Sequence, residues 1–151
     1  MKNKLSTKQG FTIIEVVLVL AIAGLIFLMV FVAFPALQSN QRDTQRRQDY
    51  ADLGAAVITS VTNSNGSFNS SSISGIKIGN DGKDPENKSY TITVVTESGN
   101  INKPTGSQVY VIQKGKCTGD TGSYDSNKTE KDFAIYGALS NNGTYCREFK
   151  Y

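Results

Sequence analysis

Glu15 poses the sharpest chemical question in this chain. It closes the stretch Gly10-Phe11-Thr12-Ile13-Ile14-Glu15, and residues 16–37 then supply 22 positions without a charge. About 20 apolar residues cross a bilayer as a helix, so this run is long enough. A carboxylate inside such a span costs about 2.5–3.5 kcal/mol at the bilayer centre and less near its edge. A buried charge either neutralises or finds a counter-ion. One reading places Glu15 at the headgroup boundary, where it marks the start of the span. The other gives it a cation. Were the chain cut after Gly10, the new α-amine of Phe11 would be that cation, four residues away in sequence. Between neighbouring chains, the same pair would fix how far one helix slides along the next.

Little else in the sequence points to a reaction. There is no histidine and no tryptophan. A nucleophile elbow, a phosphate loop and a Cys-His pairing are also lacking, so neither an enzyme nor a cofactor is indicated. The acidic stretches 81–87 and 120–132 carry oxygen ligands that suit calcium, but neither has the spacing of a calcium loop, and solvated turns are expected there. No metal is assigned. The formal charge of +3 comes from the first residues: without Lys2, Lys4 and Lys8, 13 basic residues balance 13 acidic ones. Charge therefore gives no broad case for nucleic acid or lipid binding.

Those same lysines orient the span. Positive charge before an apolar run keeps the N-terminus on the cytoplasmic side, which exports everything after residue 37. Cys117 and Cys146 then lie in an oxidising setting and are expected to pair, with two buried thiols as the alternative. Two cysteines without a histidine leave a zinc site short of ligands. A removable secretory signal fits poorly, because its apolar core is only about 7–15 residues long and ends in a small-residue cleavage site.

Residues 10–25, from Gly10-Phe11-Thr12-Ile13-Ile14-Glu15 through Ala23-Gly24-Leu25, resemble the class III signal sequence of type IV pilins and pseudopilins. The resemblance covers about the first 27 residues closely. It implies a leader, residues 1–10, removed by a prepilin peptidase between Gly10 and Phe11, with N-methylation of Phe11. It also implies that Glu15 meets a neighbour's Phe11 amine and sets subunit register. The implied partners are further copies in a helical filament, an inner-membrane platform and assembly or retraction ATPases. A DNA or host-surface ligand for the head is a further possibility of the family. The expected product is a structural subunit, held in the cytoplasmic membrane before assembly and extracellular afterwards, serving adhesion, twitching motility or DNA uptake. Minor pilins and the pseudopilins of type II secretion or competence systems share this N-terminal pattern. A monomeric single-pass binding protein that keeps its leader is the rival from another class. The family's disulfide-bounded C-terminal region resembles the span from Cys117 to Cys146.

The remaining elements must position these groups. Gly24 and Pro35 are the helix-breaking residues of the apolar segment, costing about 1 and 3 kcal/mol in a helix interior. In the pilin reading, residues 24–35 could lose helical pairing on assembly, although many pilins carry proline where this chain has Val32. Tyr50, Leu53, Val57 and Val61 then recur at three- and four-residue spacing, the stripe of a one-faced helix. Arg42, Asp43, Gln45, Arg46, Arg47, Asp49 and Asp52 are expected to face other directions, with Asp43 four residues before Arg47. Strands are expected at 90–95, 109–112, 133–136 and 145–149, a polar loop at 69–74, and a tight hairpin turn at Asn142-Gly143. The expected fold is α+β: a long N-terminal helix over 11–62, packed on a small antiparallel head of about four strands over 63–151. One disulfide would staple that small core.

Overall fold

The computed structural model describes residues 10–97 and 101–151. They fall into two compact units, one ending at Gln38 and the other running from Ser39 to Tyr151, and helix α1 (Ile13–Asn63) contributes to both. In the first unit, of the described residues up to Gln38 only Ala23 is even partly covered. The helix runs without interruption through Gly24 and Pro35. Pro35 lies inside this helix and removes one N–H from its ladder.

In the second unit, α1 is one-faced. It buries Tyr50, Leu53, Val57 and Val61, the anticipated stripe, together with Gly54 and with Arg46 and Asp49, which were expected to face away. The helix ends as its sequence dictates. Asn65 (φ 53°) and Gly66 (φ 83°) turn left-handed, and the Gly66 N–H returns to the Val61 carbonyl at 2.9 Å. That 6→1 bond is a Schellman-type stop. The expected polar loop holds instead a short helix, α2 (Ser70–Ser74). The Asn69 side chain accepts from the N–H groups of Ser71 (3.0 Å) and Ser72 (3.2 Å), an N-cap that lets Ile73 reach the core.

Among the described residues six strands follow: β1 (Thr91–Val95), β2 (Gln108–Gln113), β3 (Gly115–Thr118), β4 (Thr121–Tyr124), β5 (Asp132–Ala138) and β6 (Thr144–Lys150). Four of them form the main sheet in the order β1-β2-β5-β6. The pairs β2–β5 and β5–β6 are antiparallel as expected, but β1 and β2 are parallel, with Thr91 opposite Gln108. Twelve residues separate Val95 from Gln108, about the length that a parallel crossover needs and far more than a hairpin turn. The β5–β6 turn holds Asn141 (φ 53°) and Asn142 (φ 64°) in the left-handed region.

Alternation sorts the sheet into two faces. Val109, Val111, Phe133 and Ile135 join Tyr50, Leu53, Val57, Val61 and Ile73 in the core. Close approach is possible because Gly54 lies under the Phe149 ring and Gly137 under the Tyr50 ring. The Tyr50 hydroxyl donates to the Ala138 carbonyl at 2.6 Å. Ile112, Ala134 and Tyr136 project the other way and are also buried. Their cover is the β3–β4 hairpin, a second sheet that sequence reading left out. Cys117 on β3 and Cys146 on β6 are joined by a disulfide, with Cα atoms 5.6 Å apart. The two cysteines are 29 positions apart in sequence, and closing such a loop stabilises by about 3–4 kcal/mol in the chain-entropy account.

Candidate functional site

Gly10, Phe11 and Thr12 precede the first helical residue, Ile13, so the Gly10–Phe11 peptide lies outside the helix. Thr12 is the N-cap. Its side-chain oxygen accepts from the Glu15 N–H at 3.4 Å. In return the Glu15 carboxylate accepts from the Thr12 N–H (3.5 Å) and the Thr12 hydroxyl (3.3 Å). This reciprocal arrangement is a capping box, in which a threonine and a glutamate three residues later satisfy each other's end of the helix. Glu15 is also the acidic residue of the first turn, where the helix dipole favours negative charge. The Thr-Ile-Ile-Glu spacing carried that signal in the sequence, and attention to the charge alone passed over it.

The surroundings of this carboxylate are greasy and uncovered. Phe11 is 88% exposed and Ile13 85%. Among the described residues, the exposed large hydrophobics all lie between Phe11 and Leu37. Phe11, Glu15, Val16, Val19 and Leu20 line one open groove, so the acid and the aromatic ring of Phe11 border the same surface. Phe27, Val30, Phe31, Phe34 and Pro35 line a second, wholly apolar one. This segment is long and apolar enough to cross a membrane. Water is a poor solvent for so large a continuous apolar surface, which marks a membrane or protein contact. Gly24 stands on that surface with open space beside its Cα, while Pro35 borders the second groove.

In the head, the stretch 81–87 keeps Asp81 and Asn87 exposed, as expected of a solvated turn, but not Asp84. Asp84 is buried and its Oδ2 meets the Arg46 guanidinium at 2.9 Å and the Ser107 hydroxyl at 2.8 Å. Its Oδ1 accepts from the N–H groups of Glu86 (2.9 Å) and Lys88 (2.8 Å), an Asx turn built on Asp84-Pro85. Burial pushes its carboxyl pKa up. The Lys88 N–H, the Ser107 hydroxyl, the Glu86 N–H and Arg46 together outweigh burial, and the value falls below the usual carboxylate range. Asp49 accepts from the Tyr90 hydroxyl at 2.7 Å, and burial raises its pKa. Asp43 does not pair with Arg47. It accepts from the Ser140 N–H at 2.7 Å, and Arg47 lies over the Tyr145 ring at 4.8 Å.

Residues 5–31 match the family model described as the prokaryotic N-terminal methylation motif. The chain therefore carries the class III signal sequence of type IV pilin-like precursors. The Gly10–Phe11 junction, Thr12 and Glu15 all fall inside the matched stretch, whereas the head falls outside it. No curated protein and no solved structure matches the chain.

Proposed function

We propose that this chain is the precursor of a type IV pilin, a structural subunit that polymerises through its N-terminal helix. Residues 1–10 form the leader, a prepilin peptidase cuts between Gly10 and Phe11, and Phe11 is N-methylated. Residues 11–62 then act as membrane anchor and later as filament core, and residues 63–151 as the exported head. The supporting observation is the single carboxylate of Glu15 at the head of an uncovered apolar helix, inside the matched motif and beside a junction that is not helical.

The physical logic is an exchange of surroundings. In the bilayer, residues 11–37 are solvated by lipid, and Glu15 sits near the edge, where its charge is cheapest. On assembly, lipid contacts give way to contacts with other subunits. The carboxylate then needs a cation, and the Phe11 amine of a neighbour supplies one at a fixed register. Gly24 and Pro35 weaken the helix between them, so that segment can melt when it packs in a filament. The platform and ATPases of the membrane machinery drive the insertion.

Mass spectrometry of the surface-sheared fraction tests the reading. Abundant fibres of chains that begin at Phe11 are expected, while uncut monomers retained in the membrane would overturn it. Glu15→Ala should leave the membrane level of the protein unchanged and strongly reduce fibre yield. Wild-type piliation in that variant would remove the register role.

A further inference from the structure

The β3–β4 hairpin is held to the sheet in an unusual way. Its register pairs Gly115 with Tyr124 and Cys117 with Gly122, so these four residues share the face turned to the sheet. A Cβ at Gly115 would lie 2.5 Å from the Ala134 side chain, and one at Gly122 would lie 2.7 Å from the Cβ of Tyr136. The hairpin therefore covers Ile112, Ala134 and Tyr136 with glycine backbone and presents no aliphatic side chain of its own. Its own contribution to that contact is glycine backbone, Cys117 and the half-buried Tyr124 ring, and opening it exposes the buried Ile112, Ala134 and Tyr136.

The remaining ties are few. The Cys117 N–H donates to Glu148 at 2.8 Å, and Lys128 reaches the same carboxylate at 2.7 Å from a half-exposed position. Exposed ion pairs of this kind contribute little. At the roots, the Lys114 N–H bonds the Asp132 carbonyl at 2.7 Å and the Asp125 N–H bonds the Lys114 carbonyl at 2.9 Å. Lys114 itself has φ 55°, a sharp reversal between β2 and β3. One covalent bond, Cys117–Cys146, ties the body of the hairpin to β6. The core around Tyr50, Leu53, Val109 and Phe133 lies on the other face of the sheet and does not include the hairpin.

We infer that the β3–β4 hairpin is a redox-released flap, hinged at Lys114 and Asp125, whose opening uncovers Ile112, Ala134 and Tyr136 while the helix–sheet core stays folded. The reductant is a dithiol. One of its thiolates attacks a sulfur of the Cys117–Cys146 bond, forming a mixed disulfide and expelling the other cysteine as thiolate. The second thiolate of the dithiol then closes on the first. The reagent leaves as a cyclic disulfide, and the protein gains two electrons and two protons as two thiols. This reading concerns the head alone and does not rest on polymerisation.

The test is hydrogen exchange on the full-length chain in detergent micelles, with and without dithiothreitol, reduction being verified by alkylation of both thiols. After reduction, amides of residues 115–124 should exchange at least ~10-fold faster, while those of 109–112 and 133–137 stay within about threefold of the oxidised protein. The double variant Cys117→Ser/Cys146→Ser should give the same pattern without reductant, and reoxidation of the wild type should restore protection. A hairpin that keeps its protection when fully reduced overturns the inference. So does simultaneous loss of protection across β2, β5 and the hairpin, which would make the disulfide a staple for the whole head.

Discussion

Replacing Asp84 by alanine probes the head at its most demanding point. The substitution leaves the Arg46 guanidinium, whose side chain is 3% exposed, with Glu86 at 3.5 Å as its one remaining carboxylate partner among the described residues. It also strips the N–H groups of Glu86 and Lys88 and the Ser107 hydroxyl of their acceptor. Removing one partner of a buried pair costs about 3–5 kcal/mol. For a domain of this size that lowers Tm by on the order of 10–20 °C. The assay is thermal and urea unfolding of the full-length chain in micelles, followed by near-ultraviolet signals of its seven tyrosines. Arg46→Met should recover part of the loss when combined with Asp84→Ala, because the uncompensated charge disappears with it. The acid limb carries a second signature. The folded-state pKa of Asp84 lies below the ordinary 3.8, so its contribution is present above that value and is lost as pH falls through the folded pKa. Asp49 acts oppositely: its raised pKa favours the folded state on acidification, and that contribution is lost as pH rises through the folded pKa. The variant should therefore lack the steepest part of the wild-type decline below pH ~4. A stability for Asp84→Ala within about 1 kcal/mol of wild type, or a strictly additive double variant, would refute this account of the pair.

Thr12→Val removes the hydroxyl of the capping box and should weaken the start of α1 by about 0.5–2 kcal/mol, read as faster amide exchange at residues 13–16, with Thr12→Ser restoring it. Two glycines of the same helix should behave oppositely. Gly54→Val drives a side chain into the Phe149 ring and should destabilise the head by about 1–3 kcal/mol in the same unfolding assay. Gly24→Ala meets nothing within 4 Å and should raise helix stability in micelles by up to about 1 kcal/mol.

The elements that could be read from the sequence were those with a strong period or a strong charge contrast. The stripe of Tyr50, Leu53, Val57 and Val61 was visible because apolar spacing survives any tertiary context. All four strands of the main sheet were visible in their β-branched and aromatic runs. The β3–β4 hairpin was not, because its sheet-facing residues are glycines, a cysteine and Tyr124, a composition that reads as turn. Burial of Arg46 and Asp49 was equally hidden. Their partners, Asp84 and Tyr90, lie 38 and 41 positions away, and no local pattern announces a pairing at that distance. The parallel placement of β1 beside β2 depends on the path of a connection, which side-chain alternation does not encode. At the N-terminus, charge and hydropathy singled out Glu15, while the capping role of Thr12 needed the helix start to be known to the residue.

A filament map at side-chain resolution bears most directly on the central claim, that an isolated acid in an apolar helix is neutralised across a subunit boundary. The account predicts chains that begin at Phe11, each with its amine within hydrogen-bond distance of a neighbouring copy's Glu15. A fibre that retains residues 1–10, or one in which that carboxylate has no cation beside it, would contradict it.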